Sequence, residues 1–212
     1  MSEHTTESSL ETLKEIRSMM ERSARFLSLS GWSGIWAGSV GLIGAGIAYF
    51  QLKEYEQNLI EGHQRSRNDI QALTLELLPL AIIVFVIALL GGYYFTYRKN
   101  KKAGVSIWNS ASKKMIVNLG IPFAAGAVFV LALINNGDWQ YVSSGCLIFY
   151  GLSLINGSKY TVSDIKYLGL LEVVLGCIGL FISPGYGLYL WAFGFGVLHI
   201  VYGIIMWRKY EL

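Results

Sequence analysis

Residues 31–51 read GWSGIWAGSVGLIGAGIAYFQ, and the fold follows from how this stretch is read. It holds no charged side chain. At the helical rise of about 1.5 Å per residue it is long enough to cross a hydrocarbon layer of about 30 Å. Gly31, Gly34, Gly38, Gly41, Ala45 and Ala48 recur at alternating steps of three and four, which places all six on one side of a helix. Lipid gives two helices no hydrophobic reason to associate, so close backbone approach along small residues supplies much of their contact. The stripe therefore predicts a partner helix along the whole first span, either within the bundle or in a second subunit.

The rest of the chain belongs to the same class. Of 212 residues, 53% are apolar and only 15% charged, with a mean hydropathy of +0.45. Soluble domains carry about 25% charged residues, so a water-facing surface cannot be assembled here, and disordered or disulfide-scaffold readings fail on low polarity and 2 Cys. Five more apolar stretches follow, at Leu77–Tyr97, Ile121–Asn135, Tyr141–Asn156, Tyr167–Ile182 and Gly187–Trp207. The fold class expected is all-α. It is a polytopic membrane helical bundle of six transmembrane helices arranged as three hairpins, with an N-terminal cytoplasmic amphipathic helix. The units are 1–30, the bundle 31–207, and a short tail 208–212. Similar hairpin endings recur about every 50 residues (Gly91-Gly92-Tyr93, Tyr150-Gly151, Tyr202-Gly203), which fits a triplicated two-helix unit.

Charge sets the orientation. All but three of the 17 basic residues lie in the N-terminal segment, the second and fourth connections and the tail; Lys53, Arg65 and Arg67 share the first connection with a larger number of acids. The positive-inside rule then puts both termini in the cytoplasm. The first 30 residues carry five Glu, unlike a signal peptide. The formal charge of +3 reflects this asymmetry, and no nucleic-acid partner is implied.

Outside the spans, Ser9–Ser28 reads as a helix opened by an S-x-x-E capping pattern at Ser8 and Glu11. Its apolar stripe needs cover from the membrane surface, a second copy or a cytoplasmic protein partner. Val105–Asn118 reads as an interfacial helix, with Trp108, Ala111, Met115 and Leu119 on one side. Leu52–Glu76 reads as helical on both sides of Gly62, with Asp69 as a cap of the second span. Glu61, His63 and Asp69 lack the paired His or Cys of a metal site.

Chemistry inside the spans narrows to two residues. The fifth span repeats the small-residue spacing as Gly169, Glu172, Gly176, Gly179 and Ser183, and the sixth as Ala192, Gly196, His199 and Gly203. Glu172 lies six residues past Lys166 and His199 nine before Arg208, about 9 and 13 Å from the inner ends at the helical rise. A charge at such depth normally faces protein or water. The short link Ser183–Tyr186 makes the two helices antiparallel neighbours, so the acid and the imidazole could meet, as a structural clamp or as a ligand or proton-linked site; the alternative is that they do not touch and Glu172 snorkels toward the inner interface. No catalytic residue is assigned: the phosphate-loop, zinc-protease and nucleophile-elbow patterns are missing, and Ser143-Ser144 has no base of its own. No cofactor is expected, since one membrane histidine supplies at most one haem ligand. Cys146 and Cys177 read as free apolar thiols rather than a disulfide.

The segment Leu13–Gly31, LKEIRSMMERSARFLSLSG, running into the glycine-rich span, resembles an uncharacterised family of six-helix bacterial inner-membrane proteins. The likeness extends along most of the chain. It implies a multi-pass protein of a bacterial inner membrane, no established activity, and genomic company with a winged-helix transcriptional regulator. The function expected is a non-enzymatic sensing or scaffolding component that engages a partner or itself through residues 9–28. The alternative is a small transporter or channel subunit with a polar path at Glu172 and His199. A scaffold predicts a pocket-free bundle; a transporter needs a water-accessible cavity reaching Glu172 between the fifth and sixth helices.

Overall fold

The computed structural model describes residues 29–60, 67–104 and 106–212. The expected helix Ser9–Ser28, together with Glu61 and His63, lies outside the described residues. Among those residues the secondary structure is helical, without strands. Six helices make up the bundle: α1 (Gly31–Ile60), α2 (Arg67–Lys102), α3 (Ser110–Asn136), α4 (Val142–Gly157), α5 (Ile165–Gly179) and α6 (Gly187–Tyr210). Four are long and apolar enough to cross a membrane, over Gly31–Glu54, Thr74–Lys102, Ser110–Asn136 and Gly187–Tyr210. The other two are short. With 16 and 15 residues, α4 and α5 measure only about 24 and 22 Å at the helical rise, although single 3-10 turns at Trp139–Tyr141 and Ser158–Tyr160 lengthen α4 at both ends.

Two connecting segments differ from expectation. No separate interfacial helix occupies 105–118, because α3 begins at Ser110 and runs unbroken to Asn136. Its start is fixed by a capping box, in which Asn109 Oδ1 accepts from the Ser112 N–H (2.8 Å) and Ser112 Oγ accepts from the Asn109 N–H (3.0 Å). Its end is fixed by Gly137, whose φ of 82° suits glycine and lets Asp138 N–H reach back to the Leu133 carbonyl at 2.9 Å. Pro122 does not break α3. Proline removes the N–H that would have bonded Asn118 O, and Asn156 of α4 donates Nδ2–H to that carbonyl instead, at 2.7 Å. Asp69 likewise sits inside α2 rather than capping it.

The glycine stripe of α1 finds its partner within the chain. A methyl group placed on Gly38 would sit 2.5 Å from the Gly196 carbonyl oxygen, and one on Gly203 2.7 Å from the Gly31 carbonyl. The partner helix is α6, which contacts α1 extensively. Off the stripe, Gly44 meets Val84 of α2, and nothing approaches Gly46. A second seam joins α4 to α5. A methyl on Gly169 would lie 2.7 Å from Gly151 O, on Gly176 2.9 Å from Ser144 O, and on Gly179 2.5 Å from Ser144 Oγ.

These seams set an order in space that differs from three hairpins in a row. Pairs α1–α2 and α3–α4 pack as hairpins, but α5 lies chiefly against α4, and α6 lies chiefly against α1 with its outer turn on α4. The reason is where the glycines fall: each seam joins helices that are not both in the third hairpin. The result is an arc α2–α1–α6–α4–α3 with α5 behind α4. Between the ends of the arc, closure is thin, with Phe85 of α2 stacked on Phe123 of α3 at 5.4 Å between centroids.

The basic ends of the helices gather at one end of the bundle. There Glu211 accepts from the Gly31 N–H (2.7 Å) and pairs with Lys99 (3.3 Å), while Lys99 donates to the Leu29 carbonyl (2.8 Å). Nearby, Lys209 and Tyr210 both donate to Asp164 Oδ2, at 2.6 and 3.0 Å. The Lys209 hydrogen bond, more than the smaller opposing effect of burial, holds the Asp164 carboxyl below its ordinary range.

Candidate functional site

The bundle is not pocket-free. The arc encloses a cavity of about 640 Å³, within the roughly 300–1,000 Å³ typical of small-molecule sites. It is lined by α1, α2, α3, α4 and α6 together with Ile165 and Leu168 of α5, and Glu172 is not on its wall. Among the described residues its lining is apolar and aromatic, and holds no Asp, Glu, Lys or Arg. Burying an ion or phosphate there without a partner would cost many kcal/mol. Toward the basic end the wall turns mildly polar, with Ser30, Ser33, Thr96, Ser112 and Thr161.

His199 stands on this wall, and its neighbours are set by a local change of helix. In α6, residues Ala192–Leu198 wind as a π-helix, with Gly194 and Gly196 on the buried side. Such widened turns often mark functional positions. The Gly194 carbonyl accepts from His199 Nδ1–H at 3.0 Å, and His199 Nε2 lies 2.8 Å from the Tyr150 hydroxyl. A carbonyl only accepts, so Nδ1 carries a proton, and in the neutral ring Nε2 accepts from Tyr150 O–H. Phe195 stacks on His199 at 5.9 Å and packs against Tyr150 at 5.0 Å, fixing both rings.

Glu172 reaches the same place from behind. It is fully buried on α5, with Oε1 3.4 Å from His199 Nδ1, and neither of its oxygens has a hydrogen-bond partner among the described residues. A methyl on Gly194 would lie 2.5 Å from both Glu172 Oε2 and Leu147 Cδ2, so the carboxyl occupies room that only a glycine leaves. Glu172 and His199 are thus brought together, although α5 and α6 touch little elsewhere. Two states fit the geometry, carboxyl facing imidazole and carboxylate facing imidazolium, and they differ by one proton relocated from the carboxyl to Nε2, the ring nitrogen that carries none in the neutral form. The move reverses the bond at Nε2. An imidazolium donates to Tyr150 Oη, and the tyrosine proton is then free to point into the cavity.

Two residues of this site were not anticipated. Tyr150 was visible only as part of a repeated Tyr-Gly pair. The available signal was its place on the face of α4 that carries Leu147, Gly151 and Leu154, all buried, because a buried phenol needs a polar partner. Tyr202 also lines the cavity, one turn beyond His199, and its buried hydroxyl has no hydrogen-bond partner among the described residues. The remaining small residues divide as described: Gly31, Gly34, Gly38, Gly41, Gly196 and Gly203 form the α1–α6 seam, while Gly169, Gly176 and Gly179 face α4. No group of three metal-ligating side chains occurs among the described residues. Cys146 is half-buried and Cys177 exposed, both as free thiols.

No protein-family model matches this chain, and no curated protein or solved structure matches it either.

Proposed function

We propose that this chain is a non-enzymatic sensing component of a bacterial inner membrane, crossing it six times with both termini in the cytoplasm, and that it receives an apolar molecule from the bilayer. The observation that carries this reading is the cavity of about 640 Å³, without a charged side chain among its described lining residues and thinly closed between α2 and α3. The short helices α4 and α5 cross by virtue of their flanking turns and local thinning of the bilayer. A route from cavity to cytoplasm supports sensing over passive structure. Leu29, Ser30 and Gly31 line the cavity, are tied to Lys99 and Glu211, and lead directly back to residues 9–28. Occupancy of the cavity would thus bear on the segment proposed to engage a cytoplasmic partner or a second copy.

The test is crosslinking and pull-down with intact protein in nanodiscs, beside a form lacking residues 1–28 and an Ala88→Trp variant that fills the cavity. Capture lost on deletion and altered by the filled cavity is the expected result. Capture indifferent to both would overturn the sensing reading.

A transporter is the second reading, favoured by one observation: the Glu172–His199 pair abuts the cavity through Tyr150. It requires uptake by proteoliposomes that depends on a pH gradient and is lost in Glu172→Gln.

A further inference from the structure

We propose that the cavity is a lengthwise slot for one extended hydrocarbon chain of a bilayer lipid, whose head stays outside at the basic end, and that this chain enters sideways between α2 and α3. This rests on the cavity reading above and names the ligand class and its route.

Length is the first argument. The lining runs from Ala81 to Thr96 on α2 and from Ser112 to Val130 on α3, about 22 and 27 Å at the helical rise. On α6 it runs from Trp191 to Met206. The space is therefore longer than one hydrocarbon leaflet, half of a core of about 30 Å. Carbon–carbon bonds of about 1.5 Å set in a zigzag advance about 1.25 Å each, so a palmitoyl chain measures about 20 Å when straight. Such a chain touches wall along its whole length, whereas a compact apolar molecule leaves much of the wall without partner atoms.

Composition sets the direction. The slot begins beside Ser30, Thr96 and Ser112 at the basic end and finishes among Gly41, Val130 and Trp191 at the other. Its described lining carries no charge, so the interior does not hold a head group. Exposed cations stand at its basic end instead, Arg98 two residues beyond Thr96 and Lys113 next to Ser112, where a lipid phosphate is matched.

The route follows from exposure. A residue that is both on the cavity wall and exposed marks where the cavity meets the outside. The large apolar residues with both properties are Phe85, Leu89, Tyr93, Trp108 and Ile116. All belong to α2, to α3 or to the turn before α3. These two helices pack little against each other, and the Phe85–Phe123 stack crosses the opening near mid-span as a bar. A lipid in the adjoining leaflet can turn one chain past this bar without passing through water and without burying its head.

The experiment uses the full chain in nanodiscs containing a phosphatidylglycerol whose palmitoyl chain carries a diazirine at the third or the fifteenth carbon, with crosslinks mapped by mass spectrometry. The diazirine near the head is expected on Leu154, Leu168 or Met206, buried lining residues at the basic end, and the one near the tip on Gly41, Cys146 or Trp191. Ala88→Trp should remove both sets and spare outward-facing Val128. Unlabelled lipid with palmitoyl chains should compete about tenfold better than lipid with decanoyl chains, which leave half the wall uncovered. Phe85→Ala should speed lipid exchange about two- to tenfold, the range that an aromatic pair supplies. If both diazirine positions mark one end, or decanoyl lipid competes equally, while Ala88→Trp still blocks labelling, the extended chain is overturned and the cavity reading stands. Exchange unchanged in Phe85→Ala would overturn the sideways route. If the lipid marks no buried lining residue but the compact photoprobe trifluoromethyl-phenyl-diazirine does, and Ala88→Trp blocks it, the slot falls and the cavity reading stands; if neither probe marks them, both fall.

Discussion

A methyl group on Gly194 is the smallest change that reaches Glu172. It would lie 2.5 Å from the carboxyl oxygen and from Leu147, and the fully buried side chains around it have little room to retreat. Gly194→Ala is expected to lower stability in detergent by about 1–3 kcal/mol, while Gly46→Ala, with nothing within 4 Å, should leave the thermal midpoint unchanged or raise it. Glu172 and His199 are close enough to be tested as a pair. Glu172→Gln and His199→Ala should be strongly non-additive in the same unfolding assay, and additive losses would mean that the 3.4 Å approach carries no coupling. The acid, the imidazole and the glycines could be read from spacing alone, because 3-and-4 periodicity and depth are properties of sequence. Tyr150 and Gly194 could not. Their roles depend on the π-turn of α6, which nothing in AFGFGVL announces beyond its glycines, and on the decision of α5 to pack against α4.

Among the helices, Pro122 offers the clearest local test. Its missing N–H frees Asn118 O, and Asn156 takes that carbonyl from the neighbouring helix. Asn156→Leu is expected to cost about 1 kcal/mol by leaving the carbonyl unpaired. In a Pro122→Ala background, where the backbone N–H returns, the same substitution should cost much less. Equal losses in both backgrounds would show that Asn156 acts by packing. The seam on α1 was legible as a seam, but its partner was not, since six spans share similar glycines and periodicity names a face without naming what covers it. The break at 106–109 was invisible for a related reason: the apolar residues that suggest a separate surface helix continue in phase into α3.

For the whole molecule, charge at the basic end gives a pH signature. Asp164 is held below its ordinary range chiefly by the Lys209 hydrogen bond, so the contribution of this contact is complete above that range and disappears as acid protonates the carboxyl. Lys209 stands in solvent, so the effect is small and weakened by salt. Unfolding of wild type and Asp164→Asn, compared from neutral to strongly acid pH at low salt, should show a gap that closes toward the acid end; a gap independent of pH would show that the carboxylate's charge is not what stabilises this end. Composition was sufficient to anticipate an all-helical molecule with helices long and apolar enough to cross a membrane. It said nothing of the cavity, which arises because the glycine seams pair α1 with α6 and α4 with α5, leaving α2 and α3 at the free ends of an arc.

That pairing has a consequence for synthesis. The first helix leaves the ribosome long before its mate, and the Gly31–Glu211 contact closes a span of 180 residues. Until the last helix is threaded into the membrane, the smooth side of the first has only lipid or an insertion factor against it. A nascent chain stalled after the fifth helix should therefore expose Gly34 and Gly38 to a membrane-dissolved crosslinker, and release of the sixth should protect them.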